Sequence, residues 1–181
     1  MTEGSSDRST GSTNTIIFDI DGTLVDSAAW DAELYVESVQ EFLGDVHIHT
    51  DWSLYKHVTD SGILQQIFEE NTIPGNESMA KDIEESFCIK TSKRIQEQPC
   101  RAIPGAAEAL RQLRACPHWQ VGVATGGWRK TAHAKLESAG IDVSGLPVVS
   151  SSDHVARTEI MQACRSRMKQ PEGRTVYVGD G

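Results

Sequence analysis

Four short apolar runs limit most tightly what this chain can fold into: residues 15–18, 120–124, 146–149 and 175–178. They are rich in β-branched side chains and apolar at consecutive positions, as strands buried on both faces of a parallel sheet are. Between them lie helical patterns. Ala106, Ala109, Leu110 and Leu113 form one, Ala132, Leu136 and Ala139 closed by Gly140 a second, and Ile160, Ala163, Cys164 and Met168 a third. Strand and helix alternate, which predicts an α/β fold with a Rossmann-like, doubly wound parallel sheet.

The interval between the first two strands breaks this rhythm. About 75 residues stand where a short crossover would do, and their periodicity is helical. Trp30, Leu34, Val39, Phe42 and Leu43 mark a helix ending near Gly44. Ile63, Leu64, Ile67 and Phe68 mark another. Met79, Ile83, Phe87 and Ile95 recur at intervals of four or eight along a third that stops before Pro99. The expected organisation is a polar tail over residues 1–14, a core built from 15–26 and 103–181, and an inserted helical bundle over 27–102. In that insert, core packing or simple exposure is the plainer reading of Trp30, Trp52, His47, His49 and His57, with substrate contact as the alternative.

Charge and composition narrow the function classes. The formal net charge of -9 argues against a nucleic-acid backbone as partner, because counterion release rewards basic surfaces. The acidity is concentrated in residues 27–102, with 14 Asp or Glu against 6 Lys or Arg. No apolar run approaches the ~20 residues that span a bilayer, and the first fourteen residues lack the apolar stretch of a secretory signal. Cys88, Cys100, Cys116 and Cys164 show neither CxxC pairing nor zinc-ligand spacing and read as reduced thiols. A cytoplasmic protein is the expectation.

Each of three runs leads into a polar residue at its carboxyl end: Asp19, Thr125 and Asp180. Ligands of open α/β sheets bind at that edge, so an anion, a hydroxyl and a second anion are aimed at one crevice. In Asp19-Ile20-Asp21-Gly22-Thr23-Leu24-Val25-Asp26-Ser27 two carboxylates stand one residue apart at a strand end, where a following glycine lets the backbone curl and present both. Crowded carboxylates repel, which splits their proton affinities and equips one as nucleophile and the other as acid/base. Neither GxxxxGK[ST] nor GxGxxG occurs, leaving little support for a nucleotide site.

This stretch resembles DxDGTLxDS, the opening motif of the haloacid dehalogenase-like superfamily, in members with an inserted helical cap similar to phosphoglycolate phosphatases and β-phosphoglucomutases. The resemblance runs from about residue 15 to the end. It implies that Asp19 is the nucleophile, forming an aspartyl-phosphate, and Asp21 the general acid/base. Val123-Ala124-Thr125-Gly126-Gly127 is similar to the second motif, with Thr125 on the transferring phosphoryl group. The third motif is a basic residue. This chain lacks its GKPxP context, and Arg157, opening the helix before the last strand, is the candidate. Val178-Gly179-Asp180-Gly181 resembles the fourth motif. Magnesium would then be held by Asp19, Asp21 and Asp180, and phosphate by Gly22, Thr125, Gly126 and Arg157. The sequence stops before the second acidic residue of that fourth motif, and the expectation is that the C-terminal part of the core is missing from it.

The function implied is magnesium-dependent hydrolysis of a small phosphorylated metabolite, by a monomer or homodimer. The alternatives are a phosphomutase, which needs basic residues for a second phosphate, and a non-catalytic truncated member. Carbon–halogen hydrolysis is disfavoured because the dehalogenases lack the second Asp of the first motif.

Overall fold

The computed structural model describes residues 13–169 and 173–179. Four strands, β1 (Asn14–Phe18), β2 (Trp119–Ala124), β3 (Val148–Val149) and β4 (Thr175–Val178), form one parallel sheet in the order β3-β2-β1-β4. β1 begins at Asn14, which pairs with Trp119, since a strand's backbone pairing does not require an apolar side chain. At the other edge β3 is shorter than its apolar run. Pro147 has no amide to donate, although its carbonyl accepts from the Val123 amide at 2.9 Å.

Both sheet faces are covered, which is why the strands read as continuous apolar runs. Ile16, Phe18, Val121 and Val123 pack with Leu110 of α4 (Ala106–Ala115) and with Ala132 and Leu136 of α5 (Arg129–Ser138). Ile17, Ala124 and Val149 face the other way, onto Ile160 and Cys164 of α6 (Arg157–Ser166). The chain runs from β1 to β2 and β3 on one side, then crosses back to β4 on the other. The winding therefore reverses between β1 and β4, and such a reversal opens a crevice at the carboxyl ends of the strands.

Residues between β1 and α4 form α1 (Ala28–Leu43), a 3₁₀ turn at Trp52–Leu54, α2 (Asp60–Glu70) and α3 (Glu77–Glu97). Their core is aromatic where the sheet's is aliphatic: Tyr35, Tyr55, Phe68 and Phe87 surround Val39, Ile63, Ile67 and Ile83. Thr91 is fully buried on the same stripe as Ile83 and Phe87 and accounts for the eight-residue gap before Ile95. Trp128, just ahead of α5, belongs to this second core, with its ring 5.6 Å from that of Tyr35 and 5.7 Å from that of Phe87. Among the described residues no helix is long and apolar enough to cross a membrane.

Candidate active site

The carboxyl ends of β1 and β2, the start of α6 and the near ends of α1 and α2 surround a cleft of about 200 Å³. Asp19, directly after β1, has its side chain only 9% exposed. Its Oδ1 accepts from the Ile20 amide at 2.8 Å. Its Oδ2 accepts from Arg157 Nη1 at 2.8 Å and from the Tyr177 hydroxyl at 2.7 Å. Burial raises the carboxyl's proton affinity above the ordinary Asp value, and Arg157 and Tyr177 pull it only part of the way back. The site around Asp19 is thus short of positive charge.

Asp21 points into the same cleft, because Gly22 takes a positive φ of 72°, a conformation that L side chains rarely adopt. The Gly22 amide donates to the Val25 carbonyl at 2.9 Å. That turn engages the Gly22 N–H within the protein. Asp21 Oδ1 accepts from the Ser27 hydroxyl and from Lys135 Nζ, the latter at 2.6 Å. A Cβ placed on Gly127 would lie 3.7 Å from Oδ2, so this second oxygen faces the Thr125–Gly127 loop.

That loop follows β2. Thr125 is 1% exposed and its hydroxyl oxygen accepts from the Gly127 amide at 3.1 Å. A Cβ at Gly126 would come within 2.9 Å of the Val58 carbonyl and 3.0 Å of Arg157 Nη2, so only glycine fits between the insert and the arginine. The Trp128 amide donates to Asp60 Oδ2 at 2.7 Å, whereas the Gly126 amide has no partner among the described residues. Arg157 thus joins Asp19, Asp21, Thr125 and Gly126 around one cleft. Asp180, the expected further metal ligand, lies outside the described residues.

The boundary between insert and core holds groups that the sequence reading did not single out. Lys135 Nζ, with 0% exposure, bridges Asp21 Oδ1 at 2.6 Å and Asp31 Oδ1 at 2.9 Å. Burial alone would strip the proton from this ammonium, but Asp21 and Asp31 more than offset that and raise its pKa. Burial likewise raises Asp31, against the pull of Lys135. Asp60 is raised as well, through burial and the nearby Asp31 charge. The start of α2 is also tied to the core, with the Asp60 amide on the Gly126 carbonyl at 2.8 Å and the Thr59 hydroxyl on the Val155 carbonyl at 2.7 Å. A signal existed for Lys135, which falls on the buried stripe Thr131, Ala132, Lys135 and Leu136. A lysine there needs anionic partners.

Of the other insert positions weighed from sequence, Trp52 lines the cleft. Trp30 carries the Arg94 guanidinium 5.4 Å from its ring centroid, and His47 and His49 lie beside Glu70.

Three comparisons bear on this arrangement. The profile of a family described as haloacid dehalogenase-like hydrolase matches residues 13–181. Among solved structures, a hydrolase from Pseudomonas syringae aligns with a TM-score of 0.72 at 22% identity, over 93% of this chain and 76% of that one. CbbY from Rhodobacter sphaeroides in complex with phosphate aligns at 0.62 and 16% identity, over 91% and 76%. A predicted phosphoglycolate phosphatase from Haemophilus somnus 129PT aligns at 0.60 and 17% identity, over 94% and 78%. At such identities the likeness is one of fold. No curated protein matches the sequence.

Proposed function

Because the chain belongs to the haloacid dehalogenase-like hydrolase family, we propose that its cleft hydrolyses a small phosphate monoester through phosphorylation of Asp19. The observation that carries this reading is the pairing at one sheet edge: Asp19 held by Arg157 at 2.8 Å and Asp21 held by Lys135 at 2.6 Å, with Thr125 and the Gly126 amide beside them. An Asp19 oxygen attacks phosphorus while the bond to the leaving oxygen breaks, and Asp21 gives its proton to that alcohol. Water then attacks the phosphorylated Asp19. Its proton passes to Asp21, and inorganic phosphate and the free carboxylate are released.

Clamping one Asp21 oxygen leaves Oδ2 to handle the proton. Arg157, already within reach of Asp19, and Thr125 orient the phosphoryl oxygens, since phosphoryl transfer asks mainly for alignment and positive electrostatics. The donor set suits magnesium: hard oxygens from the Asp19 carboxylate and the Asp21 carbonyl, beside a carboxyl whose burial leaves positive charge wanting. Magnesium, when bound, neutralises charge on the nucleophile and the phosphate. The helical insert serves as a cap that keeps bulk water from the cleft.

The cap side of the cleft favours a phosphatase over a phosphomutase. It presents Asp31 and Asp60 with the Tyr35 and Trp52 rings, and its nearest lysine, Lys135, is fully buried and already bonded to two carboxylates. Among the described residues, a second phosphate there would meet carboxyl groups and aromatic rings rather than a free cation. The substrate is therefore a monophosphate of an uncharged or hydroxyl-rich alcohol, handled in the cytoplasm by a monomer or homodimer. The thiols of Cys88, Cys100, Cys116 and Cys164 are all free, in keeping with that compartment.

The test is phosphate release by the full-length protein with magnesium from sugar monophosphates, sugar bisphosphates and phosphoglycolate. We expect turnover of the first group, weaker turnover of the other two, and at least a ~10³-fold loss in Asp19→Asn. Absence of release from every ester, or an active Asp19→Asn, sinks the proposal.

A further inference from the structure

Outside the catalytic cleft, the loop after α1 carries His47 and His49, two residues apart. Alternate residues of an extended segment point to the same side, and the two imidazoles accordingly sit together, with ring centroids 4.6 Å apart. Glu70, in the last turn of α2, faces them. One ligand atom from each of the three residues lies within 4.8 Å of the other two, and His49 Nε2 is 2.8 Å from Glu70 Oε2.

The support around these side chains is built as well. The Asn71 side chain accepts from the His47 amide at 2.8 Å and donates to the His47 carbonyl at 2.9 Å. The His49 amide donates to the Tyr55 hydroxyl at 3.0 Å, and the His49 ring meets the Tyr55 ring edge-on at 5.3 Å. Gln66 donates to Glu70 Oε1 at 2.7 Å, which leaves Oε2 for the imidazoles. Outer hydrogen bonds of this kind orient metal ligands.

We propose that His47, His49 and Glu70 form a site for a borderline divalent cation, with Zn²⁺ as the best match, distinct from the magnesium centre of the cleft. Two imidazoles and a carboxylate are a common zinc donor set that leaves a fourth position to water. Zinc bonds of about 2.0–2.2 Å to nitrogen and oxygen need ligand atoms roughly 3.3 Å apart in a tetrahedron, which small side-chain rotations supply here. Nitrogen ligands disfavour Mg²⁺ and Ca²⁺. The Cys88, Cys100 and Cys164 thiols compete poorly, since burial raises their pKa. Among the described residues this is the one group of three or more His, Cys, Asp and Glu side chains so clustered. Bound zinc would fasten the loop to the end of α2, roughly 15 Å along that helix from Asp60.

The experiment is titration of the full-length protein with Zn²⁺ in millimolar magnesium, so that the cleft is saturated, followed by competition with a chromophoric chelator. We expect one equivalent with micromolar affinity and a rise in melting temperature. Glu70→Gln and His47→Gln should each weaken uptake at least tenfold without lowering the metal-free melting temperature by more than a few degrees. Co²⁺ should give visible absorption bands in the parent that both variants lose. Failure of the parent to take up zinc, or equal uptake by parent and variants, overturns the proposal.

Discussion

The sheet edge and the helical insert bring carboxylates to the same cleft in opposite ways. At the sheet edge Asp19 is met by groups of the core itself, Arg157 from α6 and Tyr177 from β4. The insert sends in Asp31 and Asp60 and takes its cation from across the boundary, as Lys135 of α5. The core half of the site therefore draws its protein partners from the core alone. The insert half is balanced only while the insert is docked, so its ion pair is a condition of assembly as much as a part of the chemistry.

Substitutions can break that contrast. The largest stability effect is expected at Lys135. Its removal leaves two half-buried carboxylates without that counter-charge, so Lys135→Ala should cost about 3–5 kcal/mol in denaturant unfolding. Adding Asp31→Asn should return at least ~1 kcal/mol, because neighbours in one network do not add independently. A Lys135→Ala protein less than ~1 kcal/mol below its parent, or a strictly additive pair, removes the insert's dependence on that bridge. Arg157→Ala should act on turnover instead, lowering kcat about 10²- to 10³-fold, or roughly 3–4 kcal/mol of transition-state stabilisation, while unfolding midpoints shift less than for Lys135→Ala. An Arg157 variant that loses stability but retains full kcat would erase the distinction between the two halves.

The smallest effect sharpens the comparison from within the core. Asp153 pairs with Arg129 at 2.6 Å and Arg167 at 3.0 Å. Burial pushes its carboxyl up, but the Ser150 amide and these arginines prevail and bring it down to about 2. A carboxyl whose pKa falls on folding stabilises the fold above its unfolded value near 3.8 and loses that contribution as pH drops toward 2. Both arginines are substantially exposed, at 44% and 45%, so Asp153→Asn should cost only about 1–2 kcal/mol at neutral pH. The parent's advantage should vanish near pH 2. Stability curves of the two proteins that stay parallel from pH 7 to pH 2 would rule this out.

How far the sequence could be read follows the same divide. Asp19 and Thr125 were legible because continuous apolar runs fix where a parallel strand stops, and the strand's end fixes the crevice. Arg157 was legible from its place at the head of the last described helix. Lys135, Asp31 and Asp60 sit on helices, where polar residues normally face water or cap an end, and their meaning depends on how the insert docks against α5. That docking is a tertiary fact. Tyr177 lies inside a strand, and nothing local says that its hydroxyl reaches back to the first strand's carboxylate.

Trp128 joins the two halves covalently: its backbone continues the loop after Thr125 while its indole is buried among the aromatic rings of the insert. The insert is consequently not an interchangeable module. Grafting the helices of another relative onto this core would leave the Trp128 indole without its aromatic pocket and its amide unclaimed where Asp60 had been. Any chimaera that changes what the cleft accepts must carry a residue from the opposite side of the junction along with it.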